Sequence, residues 1–134
     1  MNHAKGTFEV KLTPQKPDNK EAESASVGRM SIDKKFSGDL EATSQGEMLA
    51  AMTAVKSSAG YVAIEGVGGT LHGRHGTFVL QHSGTMTRGT PALSVTVVPD
   101  SGTEKLTGLT GRMTIKIDGG NHFYEFDYML PEKD

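Results

Sequence analysis

The chain contains no cysteine, so disulfide staples, thiolate metal sites and a cysteine nucleophile are excluded. It also has no apolar run near the roughly 18 residues of a transmembrane helix, and Met1 to Gly6 holds no charged segment leading into an apolar one. With no export signal in view, a cytoplasmic protein without a membrane partner is the expectation. An excess of one charge is missing too. Fourteen basic residues against sixteen acidic give a net charge of −2, and no basic stripe could neutralise a run of phosphates. Nucleic acid is therefore a poor partner. The apolar fraction of 35% looks thin until the 17 glycines are added, which brings the chain to the ordinary globular level. Its 134 residues suit one domain, 1–134, with one core.

What the chain does have is glycine at regular intervals. Gly68-Gly69, Gly73, Gly76, Gly84, Gly89, Gly102, Gly108, Gly111 and Gly119-Gly120 fall where strands of about 7 to 10 residues would turn back. Thr7 to Leu12 alternates Phe8, Val10 and Leu12 against polar residues, the period of a half-buried strand, and Pro14 is expected to end it. Gln15 to Glu23 is charged, aperiodic and interrupted by Pro17, and reads as an exposed loop. Val27 to Ser37 alternates again, with Met30, Ile32 and Phe36 on one side. A three-residue turn at Ser37-Gly38-Asp39 would then set Phe36 opposite Leu40. Residues 45–56 are ambiguous. Glu47 to Met52 favours helix by propensity, but the β-character of everything around it favours a strand. Tyr61–Leu71, Thr77–Met86, Ala92–Val98, Arg112–Ile117 and His122–Leu130 complete a count of eight.

Hairpin loops fix register and therefore which face looks inward. An even loop over His72 to His75 sets Glu65 opposite His82 and Val67 opposite Leu80. A turn at Arg88-Gly89 sets His82 opposite Val95 and Leu80 opposite Val97. Together they put Phe78, Leu80 and His82 on an apolar face with Leu93, Val95 and Val97, and turn Gln81, Ser83, Ser94 and Thr96 away. That separation rules out a hydrolase triad built on His82. The turn at Asp118 to Asn121 sets Ile117 opposite His122, Ile115 opposite Tyr124 and Met113 opposite Phe126, with Arg112 facing Asp127 outside as an exposed ion pair. Eight antiparallel strands with one apolar face predict an all-β, up-and-down, lipocalin-like closed barrel.

Several blocks carry a resemblance. They are Gly6-Thr7-Phe8-Glu9-Val10, Phe36-Ser37-Gly38-Asp39-Leu40-Glu41, Gly69-Thr70-Leu71-His72-Gly73-Arg74, Gly76-Thr77-Phe78-Val79-Leu80-Gln81-His82, Ser101-Gly102-Thr103 and Asp127-Tyr128. Together they resemble a bacterial family of domains of unknown function whose fold is similar to the allene oxide cyclase barrel. The resemblance spans nearly the whole chain and implies a small eight-stranded barrel without an established activity. The chain departs from the family's run at Glu104, where glycine is usual. None of the plant cyclases' catalytic motifs is present to be carried over.

An eight-stranded barrel is just wide enough to be filled by side chains or to hold one small ligand. The inward polar groups are Glu65, His82, Tyr124 and Tyr128. A carboxylate near an imidazole in an apolar wall can have its protonation tuned toward neutrality, which makes Glu65 and His82 the candidate acid–base pair. Tyr61, Phe78, Leu80, Val95, Tyr124, Phe126 and Tyr128 are the candidate lining for a small, mostly apolar molecule. The leading expectation is a barrel that binds such a molecule without necessarily transforming it. One alternative is an isomerase or cyclase acting on a small hydrophobic substrate, and another is a filled barrel with a structural or oligomer-forming role. No cofactor is expected. His72 and His75 are three residues apart but lack a third ligand, so no metal site is assigned. The glycine-rich runs Gly66–Gly76 and Gly102–Gly111 lack the following helix that a phosphate loop needs. Methionines such as Met30, Met48 and Met113 suit core gaps. An outer apolar patch of Val62, Ile64 and Val79 is expected to form a homo-oligomer interface or to lie under the 15–23 loop.

Overall fold

The computed structural model describes residues 1–16, 18–19, 21 and 26–131. Eight antiparallel strands follow one another around a closed barrel: β1 (Asn2–Gln15), β2 (Val27–Gly38), β3 (Leu40–Met52), β4 (Ala59–Leu71), β5 (Arg74–Thr87), β6 (Thr90–Val97), β7 (Thr110–Asp118) and β8 (Asn121–Met129). Pairing of β1 with β8, Ala4 opposite Phe126 and Gly6 opposite Tyr124, completes the ring. The seam between β6 and β7 is short, with only Val95 opposite Met113 and Thr96 opposite Arg112. No helix among the described residues is long and apolar enough to cross a membrane.

Pro14 does not end β1. It sits opposite Met30 near the end of the ladder, where a missing N–H is tolerated, and the strand runs on through Gln15. The expected 15–23 loop therefore starts one residue later, and Pro17, Lys20, Ala22 and Glu23 lie outside the described residues. The helix-prone run Glu47–Met52 belongs to β3, because β2 and β4 pair with it on both sides and claim its backbone donors and acceptors.

Two hairpins differ from the expected register, the first by being tighter and the second by being wider. His72 (φ 46°) and Gly73 (φ 79°) alone join β4 to β5, both in the left-handed region that a two-residue hairpin turn requires. Glu65 consequently faces Leu80, Val67 faces Phe78, and His82 faces Ala63 rather than Glu65. At the β2–β3 turn, Phe36 faces Ala42 rather than Leu40. Both slips are by an even number of residues, so every side chain keeps its expected face. The other two hairpins have the expected register, with His82 opposite Val95, Leu80 opposite Val97, Ile115 opposite Tyr124 and Met113 opposite Phe126. Arg112 does face Asp127, but the Asp127 carboxylate bonds His3 Nδ1 at 2.6 Å across the β1–β8 seam.

One end of the barrel is plugged. Phe78 and Phe126 stack at 5.9 Å, Phe126 and Tyr128 at 5.4 Å, and Phe36 meets Tyr124 edge-on at 5.6 Å. Leu40, Leu71, Leu106 and Leu109 seal this layer. Burying each of these large side chains contributes about 1.5–3 kcal/mol. The Tyr124 hydroxyl accepts from the Leu40 amide at 2.9 Å and can donate to Ser37 O at 3.0 Å, tying the β2–β3 turn to the plug. Residues 98–109 cap β5 where β6 stops: Val98 N–H bonds Val79 O, and Ser101 Oγ and Thr103 Oγ1 accept from the amides of Val79 and Thr77.

The cap includes a one-turn 3-10 helix, Glu104–Leu106, whose first residue holds φ 51°. Glutamate pays for that left-handed conformation, where glycine would not. Glu104→Gly should raise the midpoint of thermal unfolding by a degree or more, followed by circular dichroism. A lower midpoint would show that Glu104 holds the cap by other means.

Candidate functional site

Above the plug, four adjacent strands each contribute one inward polar side chain: Lys34 from β2, Ser44 from β3, Glu65 from β4 and His82 from β5. All four are buried, Glu65 and Ser44 completely. Glu65 is the hub. Its Oε2 lies 2.9 Å from Lys34 Nζ and 2.9 Å from His82 Nε2, while Oε1 accepts from Ser44 Oγ at 3.2 Å. The Lys34 ammonium also sits 5.0 Å from the centroid of the Phe8 ring, within cation–π range. Gly46 faces Glu65, and a Cβ there would come within 2.1 Å of Ile64 O and 2.6 Å of Glu65 Cα, so glycine lets β3 approach the β4 backbone that carries Glu65.

His82 links this hub to the open end. Although Nε2 is 2.9 Å from Glu65, it is the buried side-chain polar atom among the described residues without a well-directed hydrogen bond. The contact is close but misaligned, an electrostatic neighbour more than a directed bond. On its other side, Nδ1 lies 3.4 Å from the Tyr61 hydroxyl. Tyr61 is half-buried, and its ring lies across Gly84, where a Cβ would come within 2.5 Å of ring carbon Cε1. The result is a chain Tyr61–His82–Glu65–Lys34 from the mouth to the barrel centre.

Burial pushes the Glu65 carboxyl up, but His82 and Lys34 beside it outweigh burial and hold it below its ordinary value. Burial, with the Glu65 charge behind it, raises the Tyr61 phenol, which therefore stays protonated at neutral pH.

Beyond the polar layer the inward positions are apolar and reach solvent. Leu12 is 46% exposed, Met86 39%, Leu93 45% and Ile117 65%, with Val10, Met30, Met48 and Ile115 partly covered between them. Leu93 is thus a wall of this mouth and not part of the buried core. His122 stands on the opposite wall with its ring 5.1 Å from that of Phe8.

Of the candidates read from sequence, Glu65 and His82 do meet, diagonally across β4 and β5. Phe78, Leu80, Val95, Tyr124, Phe126 and Tyr128 are buried in one mutually packed cluster, and Tyr61 alone borders the mouth. Lys34 and Ser44 escaped the sequence reading. The signal for Lys34 was its even position between Ile32 and Phe36, which alternation already turns inward. His72 bonds the Tyr128 hydroxyl and lies 3.5 Å from Asp39, whereas His75 is 3.8 Å from Glu104. No group of three or more metal-binding side chains occurs among the described residues. Ser83 and Ser94 are exposed on the outer wall, away from His82. Val62 and Ile64 are exposed there too, joined by Leu49, and Asp18 and Asn19 border the same concavity; Val79 is half-buried.

A family model described as "Protein of unknown function (DUF3224)" matches residues 4–128. The chain belongs to the DUF3224 family. A solved structure of a protein of unknown function from DUF3224, from Shewanella oneidensis MR-1, is 55% identical; the match covers 99% of both chains with a TM-score of 0.93. No curated protein matches significantly. The resemblance noted in the sequence is therefore to DUF3224, and in this member the family barrel carries a buried four-residue polar layer.

Breaking that layer has a defined cost. Glu65→Gln strands the Lys34 ammonium and should destabilise the fold by about 3–5 kcal/mol in urea unfolding at pH 7. The double substitution Lys34→Met with Glu65→Leu should recover at least half of that loss. Because the folded-state carboxyl titrates below its ordinary value of 4.5, its contribution is complete above that value and is lost as pH falls through the lower folded value. The gap between wild type and Glu65→Gln should accordingly shrink on acidification, and a gap that widened would refute the assignment.

Proposed function

We propose that this DUF3224 protein binds a small, mostly apolar molecule in the open half of its barrel, above the polar layer. One observation carries the reading. Inward-facing Leu12, Met86, Leu93 and Ile117 remain exposed around the mouth, while the opposite end of the same barrel is fully packed. Apolar side chains left exposed at the open end of a barrel lose their solvent on ligand entry, and unbranched methionines such as Met30, Met48 and Met86 adapt to different shapes. The packed cluster of Phe78, Leu80, Val95, Tyr124, Phe126 and Tyr128 would act as a rigid floor. The neutral fluorophore N-phenyl-1-naphthylamine should bind saturably with a blue-shifted emission. Leu93→Arg, which places a charge on an already exposed wall, should weaken that binding at least tenfold with an unchanged circular dichroism spectrum. Absence of saturable binding, or equal binding by the variant, would overturn the proposal.

The contact of His82 with Glu65 supports a second reading, an isomerase or cyclase acting on such a molecule. In this reading Glu65 orients the imidazole and stabilises its charged form, and His82 exchanges the proton. The resemblance to the allene oxide cyclase barrel read from the sequence would add only fold-level analogy. Under this reading, conversion of a bound ligand is lost in His82→Gln; turnover equal to wild type would remove the residue from the mechanism.

A further inference from the structure

We propose that the bound molecule carries one uncharged oxygen function, a hydroxyl or a carbonyl, and that the Tyr61 hydroxyl at the head of the Tyr61–His82–Glu65–Lys34 chain reads it. The inference rests on the mouth being a ligand site and adds the chemical class of what enters.

Two observations carry it. The first is that the fixed charges are already matched. Lys34 Nζ and Glu65 Oε2 are 2.9 Å apart, the second carboxylate oxygen takes Ser44, and both ions are buried. A carboxylate or ammonium brought into this layer would find no free counter-charge, and burying an unpaired ion is costly. Among the described residues, His122 and His82 are the other ionisable side chains turned inward on this side of the barrel, and His82 Nε2 already lies 2.9 Å from Glu65 Oε2. The second is that Tyr61 is the member of the chain that reaches the mouth. Its ring is laid across Gly84, its hydroxyl is 3.4 Å from His82 Nδ1, and it is only half covered. A phenol hydroxyl has one proton and two acceptor positions, so contact with His82 leaves capacity for a further partner, whether donor or acceptor. An imidazole can supply or accept the bond on its side, so Tyr61 can either donate to a carbonyl or accept from a hydroxyl. Among the described residues, the neighbouring wall of Met30, Met48 and Met86 offers only weak thioether acceptors.

The test is displacement of N-phenyl-1-naphthylamine at pH 8 by octan-2-one, its isostere 2-methyloct-1-ene, octanoate and octylammonium. Octan-2-one should compete at least tenfold better than either ion. Tyr61→Phe should shift the ketone-to-alkene affinity ratio about fivefold against the ketone, the effect of one hydrogen bond. An unchanged ratio in the variant, or octanoate or octylammonium competing as well as the ketone, would overturn this proposal while leaving the mouth as a binding site. If the fluorophore does not bind wild type at all, both readings fall together.

Discussion

The buried Glu65 carboxylate organises this barrel. A charge with no solvent exposure must be met by partners from the walls, and here three other strands answer β4: Ser44 from β3, His82 from β5, and Lys34 from β2, one strand further away. Strands two apart in a sheet are separated by nearly 10 Å, so a lysine's long stem and the curvature of the closed wall are both needed for the 2.9 Å contact. The polar layer is in this sense a measure of closure. Flatten the wall and the carboxylate loses its counter-ion.

That layer divides the barrel into two halves with different physics. Below it, stacked aromatic rings and leucines fill the interior, the Tyr124 hydroxyl ties down the β2–β3 turn, and residues 98–109 cover the edge of β5 that β6 is too short to reach. Above it, the inward side chains are apolar and partly exposed. Stability resides in the first half, and recognition is proposed for the second. The short β6–β7 seam, two pairs long, joins them where the wall has the fewest ladder bonds to hold it.

Most of the architecture could be read before any coordinates. Alternation in Phe8–Leu12 and Phe78–His82, with glycines at the turns, was enough for eight strands and for the face each side chain takes. Turn length was harder. His72 and Arg88, at φ 46° each, occupy a conformation unusual for their residue types, so the tightness of the His72-Gly73 hairpin was not evident from composition. The error moved Glu65 from His82 to Leu80 in the ladder yet preserved their contact, because diagonal neighbours on one face remain within reach of long side chains. Lys34 was overlooked for a different reason. Lysine is seldom buried, so its residue type argued against the inward position that its place in the alternation required.

Period-two patterning and turn chemistry are local properties, written in consecutive residues, and they determined strand count, strand order and inward face. Which inward groups meet across the lumen is not local. The pairing of Lys34 with Glu65, the reach of His82 from that pair to Tyr61, and the split between a packed floor and an exposed mouth were decided by curvature and strand stagger, which arise only when β8 closes against β1.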